Sequence, residues 1–272
     1  MSAKLAYAIW PWGLANREQM AAAIRDIKEV GFRYFESVQK AVELFKDDLK
    51  AFTDITAEYQ VYPISFYFHM RGVAGQDIEI LRQSLDFMAA NHIATISVQA
   101  AGKKGGGATP EELLYALNTI AEFGRLARPY GIIPCLHPHA NTTVMFEKEI
   151  DFIMQNTDPA LVAFGPDTAH LMVGKCDPVR VFEKYAERIR FAHLKDVKKM
   201  RKLEGDGAQK EGFEIYSSFL ELGEGEVDFP GVFKVLENVD YDGFLALELD
   251  RSRFSNKQSA EMNMRYMKKH GF

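Results

Sequence analysis

The sequence of 272 residues has little cysteine and no apolar run long enough to span a bilayer. Its two cysteines, Cys135 and Cys176, form no CxxC pair and no even disulfide framework, so we expect reduced thiols. The segment from Met1 to Ala8 lacks a basic stretch followed by an apolar stretch and a cleavage site. We therefore expect a soluble, cytoplasmic protein with no membrane partner.

An excess of positive charge is also missing. Lys and Arg number 33 against 38 for Asp and Glu, which gives a formal net charge of −5. Because phosphate backbones are normally met by a basic surface, this balance argues against a nucleic-acid partner. A small-molecule substrate is compatible with it, and a hydrophobic content of 47% allows a large core. The sequence leaves the oligomeric state open, a homo-oligomer included.

Two nucleotide-binding motifs are absent. No GxGxxG follows the first predicted strand, and the Gly-rich segment from Ala100 to Gly107 lacks the GxxxxGK[ST] order of a phosphate loop. The helix after this segment begins only at Pro110, with Thr109 as its N-cap. We interpret the Gly-rich segment as a mobile active-site loop.

The chain does contain a regular alternation of short apolar runs with segments of helical periodicity. The predicted strands are Lys4 to Ile9, Arg33 to Glu36, Tyr62 to Phe68, Ala94 to Val98, Ile132 to Leu136, Val162 to Phe164, Ile189 to His193 and Phe244 to Leu249. The predicted helices are Arg17 to Val30, Leu44 to Tyr59, Asp77 to Asn91, Pro110 to Tyr130, Phe146 to Gln155, Pro178 to Tyr185, Pro230 to Leu236 and Asn256 to His270. With no linker or composition break, this order predicts one α/β domain over residues 1–272, a (β/α)₈ TIM barrel. A doubly wound open sheet is the alternative.

Histidines are concentrated where such a barrel carries its active site, just beyond the strand ends. Two others, His92 and His270, are predicted on the opposite rim. The histidines at or just after predicted strand ends are His69, His137, His139, His170 and His193.

Four strands of the second half end in a residue that can bind a metal: His137, Asp167, His193 and Glu248. Two imidazoles and two carboxylates suit Mn²⁺, Co²⁺ or Zn²⁺ better than Ca²⁺. Glu248 stands in an apolar strand, where a charge is costly unless it is paired or coordinated. Ordinary roles are also available, because His137 and His139 could close the barrel mouth and Asp167 could cap the next helix.

The residues after His193 are further candidates for contact with a substrate or for holding a loop. Strand alternation points Lys195 the same way as His193, where it could neutralise charge on a substrate. Asp196 could anchor the loop that follows. The basic run from Lys198 to Lys202 is interpreted as a solvated loop, with contact to a phosphate as the alternative.

Several segments between Leu136 and Asp250 resemble the xylose isomerase-like TIM-barrel superfamily. This group includes sugar isomerases, ketose 3-epimerases, hydroxypyruvate isomerases, inosose dehydratases and DNA-repair enzymes of the endonuclease IV type. Before Leu136, the resemblance rests on strand and helix order and on Gly31 to Glu36, which is similar to the family's second strand. The segments are Asp167 to His170, Gly174 to Pro178, Tyr185 to Ile189, His193 to Asp196, Gly223 to Phe229, Tyr241 to Phe244, and Glu248.

The resemblance implies one divalent metal ion, with Mn, Co, Zn or Mg as the options. Asp167, His193 and Glu248 match three of the family's four ligands. His137 is a departure, because many isomerases and epimerases of the family have Glu there. Its pairing with His139 looks more like the inosose dehydratase branch.

The resemblance also implies a small carbohydrate substrate. The expected catalytic residues are Glu248, His139 and Lys195. The expected substrate contacts are His139, His170, Lys195, His69 and Glu36. Aromatic residues near the first and third strands, Trp10 among them, are expected mainly in the core, with a wall facing a sugar as the alternative.

We expect a metal-dependent isomerase or epimerase of a small keto or aldo sugar. Glu248 or His139 would remove the proton beside a metal-bound carbonyl, and an enediolate would form. An inosose-type dehydratase with the same first step is the alternative, and an endonuclease IV-like enzyme is less favoured. By resemblance, His137 replaces one of two glutamates that ketose epimerases use as paired bases, so it is the residue expected to decide the reaction.

Overall fold

The strands form one eight-stranded parallel sheet in a computed structural model that describes residues 2–73, 75–198 and 218–272. Its strands are β1 (Lys4–Ala8), β2 (Tyr34–Val38), β3 (Tyr62–His69), β4 (Thr95–Gln99), β5 (Ile133–His137), β6 (Ala163–Phe164), β7 (Phe191–Leu194) and β10 (Phe244–Leu247). They lie in the order β6, β5, β4, β3, β2, β1, β10, β7. Parallel bridges from Phe164 to Ile189 and from Asp167 to His193 join the two edges. The predicted (β/α)₈ barrel is therefore confirmed.

Helices connect successive strands and cover the outside of the barrel. They are α1 (Arg17–Val30), α2 (Lys40–Phe45), α3 (Leu49–Tyr59), α4 (Gln76–Ala90), α5 (Pro110–Ala127), α6 (Glu147–Gln155), α7 (Thr168–Val173), α8 (Pro178–Tyr185), α9 (Phe229–Asn238) and α10 (Asn256–Lys269). Single 3-10 turns lie at Trp10–Trp12, Arg128–Tyr130 and Ala186–Arg188. Among the helices that the structure describes, none combines the length and the apolar composition needed to cross a bilayer.

One helix prediction was wrong, and a second helix changes its geometry near its end. The segment from Leu44 to Tyr59 is split, because the side chain of Asp48 accepts a hydrogen bond from the backbone N–H of Ala51 and starts a new helix there. The helix from Pro110 ends at Ala127 and continues only as a 3-10 turn, because Pro129 has no N–H to donate. The predicted cap at Thr109 is confirmed, as part of a capping box with Glu112.

The barrel interior is apolar at one end and polar at the other. The apolar plug consists of Ala6, Ile64, Cys135, Ala163, Phe191 and Ala246. Further along the same strands, Glu36, His137 and His193 point inward and are fully buried. A larger core between sheet and helices contains Leu194, which faces away from its neighbours His193 and Lys195 as alternation predicts. Both cysteines are free and buried.

Two loops at the polar end are tied down by specific hydrogen bonds. In the Gly-rich loop, Gly102 pairs with Thr142, and the N–H of Gly105 donates to the side chain of Asn141. The carboxylate of Asp196, in the hairpin of β8 (Asp196–Val197) and β9 (Phe219–Leu220), accepts hydrogen bonds from backbone N–H groups. Its donors are Val197, Gly223, Gly225 and Val227. Asp196 thus anchors the loop after β9. Its predicted role towards the loop that directly follows it falls mainly on residues outside the described chain, and the mobility of the Gly-rich loop stays a prediction.

Candidate metal centre and active site

His137 ends β5 with its ring fixed in one tautomer. Its Nδ1 lies 3.0 Å from the carbonyl oxygen of Gly165, so Nδ1 carries the proton and donates it. The lone pair on Nε2 then points into the barrel, where this atom has no hydrogen-bond partner among the described residues. Burial, together with the neighbouring His193, lowers the pKa of His137 well below its usual range. A neutral imidazole held in this way is suited to bind a metal.

His193 is oriented by a carboxylate. Its Nε2 is hydrogen-bonded to Glu36, and its Nδ1 lies 3.3 Å from Oε2 of Glu248 and 3.9 Å from Oδ2 of Asp167. Burial alone would lower the pKa of His193, but the three carboxylates raise it to about 9. A metal bound at Nδ1 would therefore displace a proton.

Asp167 has two roles, one for each oxygen. Oδ1 accepts a 2.7 Å hydrogen bond from the N–H of His170 and caps α7, a short helix that the sequence analysis did not predict. Oδ2 faces the centre of the site and has no hydrogen-bond partner in the part of the chain described. The capping role and the ligand position were treated as alternatives, yet the geometry accommodates both.

Glu248 follows β10 directly and is almost fully buried. Oε1 accepts a 2.8 Å hydrogen bond from Lys195, whereas Oε2 has no hydrogen-bond partner among residues 2–73, 75–198 and 218–272. Burial raises the pKa of Glu248, and the charges of Lys195 and His193 offset part of that effect.

These four residues fit a divalent ion. Buried polar atoms without hydrogen bonds are rare and costly in folded proteins, and a bound cation would satisfy them. Ligand atoms of His137, Asp167 and His193 lie within 4.8 Å of one another. Each of the four contributes one buried atom that has no hydrogen-bond partner in the described chain: Nε2 of His137, Oδ2 of Asp167, Nδ1 of His193 and Oε2 of Glu248.

Lys195 is fully buried beside this centre. Its ammonium donates to Glu248 and, at 3.0 Å, to Asp250, and lies 3.0 Å from Nε2 of His170. Burial alone would lower the pKa of Lys195, but Asp167 and the other carboxylates hold it well above its usual range. Lys195 is therefore a permanent cation whose three N–H bonds all face groups of the protein.

His139 and His170 stack with ring centroids 3.6 Å apart. Nδ1 of His139 donates to the carbonyl oxygen of Ala140 at 2.7 Å, which leaves the lone pair on Nε2. Burial lowers the pKa of both rings well below their usual range, and the nearby Lys195 lowers it further. Both imidazoles are therefore neutral near pH 7.

A cavity of about 250 Å³ opens beside the candidate metal centre. Of the predicted substrate contacts, His139 and His69 line it, whereas Glu36, His170 and Lys195 are buried behind its wall. Residues 199–202 of the predicted basic run lie outside the described chain. The residues lining the cavity are Trp10, Val38, Tyr67, His69, Gln99, His139, Glu248 and Asp250.

Five of these lining residues, Trp10, Val38, Tyr67, Gln99 and Asp250, were not assigned to the site from the sequence. Trp10 was expected in the core, but its half-buried ring packs edge-on against Tyr67 and His193 at 5.4 and 5.8 Å. The hydroxyl of Tyr67 donates to Oε1 of Gln99 at 2.5 Å. Strand alternation could have found two of them, because Tyr67 lies two residues before His69 and Asp250 two residues after Glu248.

The fold and this cluster of imidazoles and carboxylates together define a TIM barrel with a candidate metal centre at the C-terminal ends of its strands. A sequence profile described as "Xylose isomerase-like TIM barrel" matches residues 24–270. The chain belongs to this family, and the resemblance inferred from the sequence is confirmed.

Known relatives and solved structures agree with this assignment. An inosose dehydratase from Clostridium tetani is 34% identical over 150 residues, which cover 53% of this chain and 49% of the relative. The match thus spans about half the length of that relative. A D-allulose 3-epimerase from Methylomonas sp. superposes with a TM-score of 0.78 at 17% identity over 98% of both chains. An IolI protein with a bound zinc atom gives a TM-score of 0.77 at 14% identity over 97% of this chain and 96% of that one. At these identities, the two structures share the fold.

Proposed function

We propose that this protein is a divalent-metal-dependent enzyme that removes the proton beside the carbonyl group of a small polyhydroxylated substrate. The observation that carries the proposal is the set of four buried ligand atoms without hydrogen-bond partners in the described chain, from His137, Asp167, His193 and Glu248, next to an open cavity. A solved structure with the same fold contains a bound zinc atom, which supports a divalent metal in a barrel of this kind. A cytoplasmic location, expected from the sequence, belongs to the same proposal.

The side chains of the site have different roles in this proposal. A divalent ion held by the four ligands would act as a Lewis acid and acidify the C–H beside a bound carbonyl. Glu248 lines the cavity, and its burial makes it a stronger base than an ordinary carboxylate. Lys195 donates a hydrogen bond to Oε1 of Glu248 and so fixes the direction in which Oε2 points. His139 also lines the cavity, where its neutral ring can contact a substrate hydroxyl.

We favour dehydration as the outcome, which reverses the order that the sequence alone suggested. The two carboxylates among the lining residues that the structure describes, Glu248 and Asp250, follow the same strand. A pair of carboxylate bases from opposite walls is therefore not available among the described lining residues, whereas loss of a β-hydroxyl after one abstraction needs a single base. The inosose dehydratase relative supports this choice, with a keto-inositol or a ketose as substrate.

Isomerisation or epimerisation is the second candidate. It shares the first step and requires a second acid–base group beside the carbanion. His139 lies on the cavity wall and has a neutral ring that could fill this role. The two outcomes differ in whether a hydroxyl group leaves, which an experiment can follow directly.

The test combines metal analysis with proton exchange. Protein stripped with a chelator and reloaded with Mn²⁺, Co²⁺, Zn²⁺ or Mg²⁺ is incubated in D₂O with ketoses and keto-inositols, and proton spectra are recorded. Metal-dependent loss of a hydroxyl with a new alkene or enol signal supports dehydration. Deuterium incorporation beside the carbonyl without that signal supports isomerisation or epimerisation instead. No exchange with any member of the panel would overturn the proposal.

A matched pair of variants tests the role of Glu248. We expect Glu248→Gln to abolish exchange, because the amide is not a base. Glu58→Gln makes the same chemical change at an exposed position of α3 and should leave exchange unaltered. Full activity of Glu248→Gln would show that another residue removes the proton.

A further inference from the structure

Asp250 places a second negative charge on the cavity wall. It follows Glu248 by two residues, its side chain is 22% exposed, and it lines the cavity. One carboxylate oxygen, Oδ2, is bound to the ammonium of Lys195 at 3.0 Å. Asp250 is therefore the one partner of Lys195 described here that is both charged and substantially open to the cavity.

The part of the cavity wall that the structure describes offers no basic group to an anionic substrate. Among the described lining residues there is neither Lys nor Arg. Lys195 is fully buried, and its ammonium is engaged by Glu248, Asp250 and His170. Four carboxylates contact this ammonium or the neighbouring His193, so the basic groups of the site are already paired within the protein. These carboxylates are Glu36, Asp167, Glu248 and Asp250.

The remaining surface suits a small neutral polyol. A cavity of about 250 Å³ lies below the range of roughly 300–1,000 Å³ that is typical of sites for drug-sized ligands. Trp10 provides an apolar ring against which the C–H face of a sugar can pack. Gln99 and His69 provide polar groups for hydroxyls. A phosphate or carboxylate group would instead meet the charge of Asp250 in a partly dry site, where like charges repel strongly.

We propose that Asp250 is a specificity-determining residue that restricts this site to uncharged polyhydroxylated substrates of monosaccharide size. Phosphate esters and sugar acids are excluded by charge, although their polyol parts would fit. This inference rests on the proposed function for the position of the metal and the substrate class. It specifies which members of that substrate class are accepted and which residue determines this selection.

Tryptophan fluorescence can test this without turnover. The chain has two tryptophans, so Trp12→Phe leaves Trp10, in the cavity wall, as the only reporter. The metal-loaded variant is titrated with a ketohexose and a keto-inositol, and then with the phosphate ester of the ketohexose and a keto-hexonate. We expect a saturable change with the neutral compounds at concentrations about tenfold or more below those that the anions require.

Asp250→Asn, made in the same background, identifies the residue responsible. The amide keeps the shape and an oxygen for Lys195 but removes the charge. The ratio of the half-saturating concentration of the anionic compounds to that of the neutral compounds, called the gap below, should therefore fall several-fold. Asp240→Asn makes the same charge change on an exposed residue elsewhere and should leave the gap unaltered.

Three results would overturn the inference: anions that bind as tightly as the neutral series, no saturable response to the neutral series, or an unchanged gap in Asp250→Asn. Neutral compounds that bind selectively but show no proton exchange in D₂O would leave the specificity intact. They would contradict only the proposed chemistry.

Discussion

At the scale of single residues, Glu36 shows how burial assigns a role. It was expected among the substrate contacts, but its side chain is fully buried and hydrogen-bonded to Nε2 of His193. A carboxylate in this position orients a histidine ligand and strengthens it as a donor. Contact with His193, a proposed metal ligand, and not with the cavity, is therefore the interaction that the geometry supports.

We expect Glu36→Gln to lower metal affinity by about 10–100-fold, because the outer partner of His193 loses its charge. At saturating metal, KM should change little. Metal affinity is measured by competition with a chelating dye, and KM is measured at fixed high metal. The paired variant His69→Gln, at the exposed end of β3, should raise KM and leave the metal affinity unchanged. A raised KM with unchanged metal affinity in Glu36→Gln would show that Glu36 does contact the substrate.

Asp167 combines two roles that one pair of variants separates. Asn keeps an oxygen that can cap α7 but loses the second carboxylate oxygen, whereas Ala loses both. We expect both variants to bind metal poorly. In the presence of chelator, urea unfolding should show Asp167→Ala less stable than Asp167→Asn by about 0.5–2 kcal/mol, the value of an N-cap. Equal stability would show that the cap contributes nothing here.

At the scale of elements, the loop between β9 and α9 is held by close backbone contacts to Asp196. A Cβ on Gly225 would lie 2.3 Å from the carbonyl oxygen of Val197 and 2.4 Å from Oδ1 of Asp196. Since Asp196 directly follows Lys195, a shift of this loop would also disturb the candidate active site.

We therefore expect Gly225→Ala to destabilise the protein by about 1–3 kcal/mol, as overpacking does, and to reduce activity. Gly102→Ala is the control, because a Cβ there meets nothing within 4 Å. Thermal and urea unfolding of the two variants measure the difference. Similar stability in both would mean that the loop can move away from Asp196 at little cost.

Elements were predictable where local chemistry dominates. Thr109 and Pro110 fix the start of α5 by capping alone. The break before α3 and the whole of α7 were not predicted, because Asp48 and Asp167 fit either a loop or a cap until their hydrogen-bond partners are known. Helical periodicity cannot distinguish one helix from two that share a face.

At the scale of the whole molecule, the barrel brings residues that are far apart in the sequence into one site. Alternation of strands and helices predicted that His137, Asp167, His193 and Glu248 would converge, and the structure brings their side chains together. It left open whether Trp10 belongs to the core or to a wall of the cavity, which this residue reaches from a 3-10 turn after β1. Which inward residues face the cavity and which are buried behind it depends on how neighbouring strands and loops pack. A single sequence does not specify that packing.

The metal-free barrel should lose stability as pH rises. The carboxylates around His193 raise its pKa to about 9 against burial, above its value of about 6.5 in an unfolded chain. Its contribution to stability is therefore fully present below about pH 6.5 and is lost as pH rises towards 9. The raised pKa of Glu248 acts in the same direction, because the folded state holds a proton that the unfolded chain releases.

We expect the Tm of chelator-treated protein to fall between pH 6.5 and 9, measured by calorimetry in matched buffers. A metal bound at Nδ1 requires neutral His193, so the rise in Tm caused by saturating Zn²⁺ should grow over the same range. Glu36→Gln removes one of the charges that raise the pKa of His193 and should flatten the metal-free profile. A metal-free Tm that stays constant or rises from pH 6.5 to 9 would contradict the assignment of His193 as a protonated residue that a metal must deprotonate.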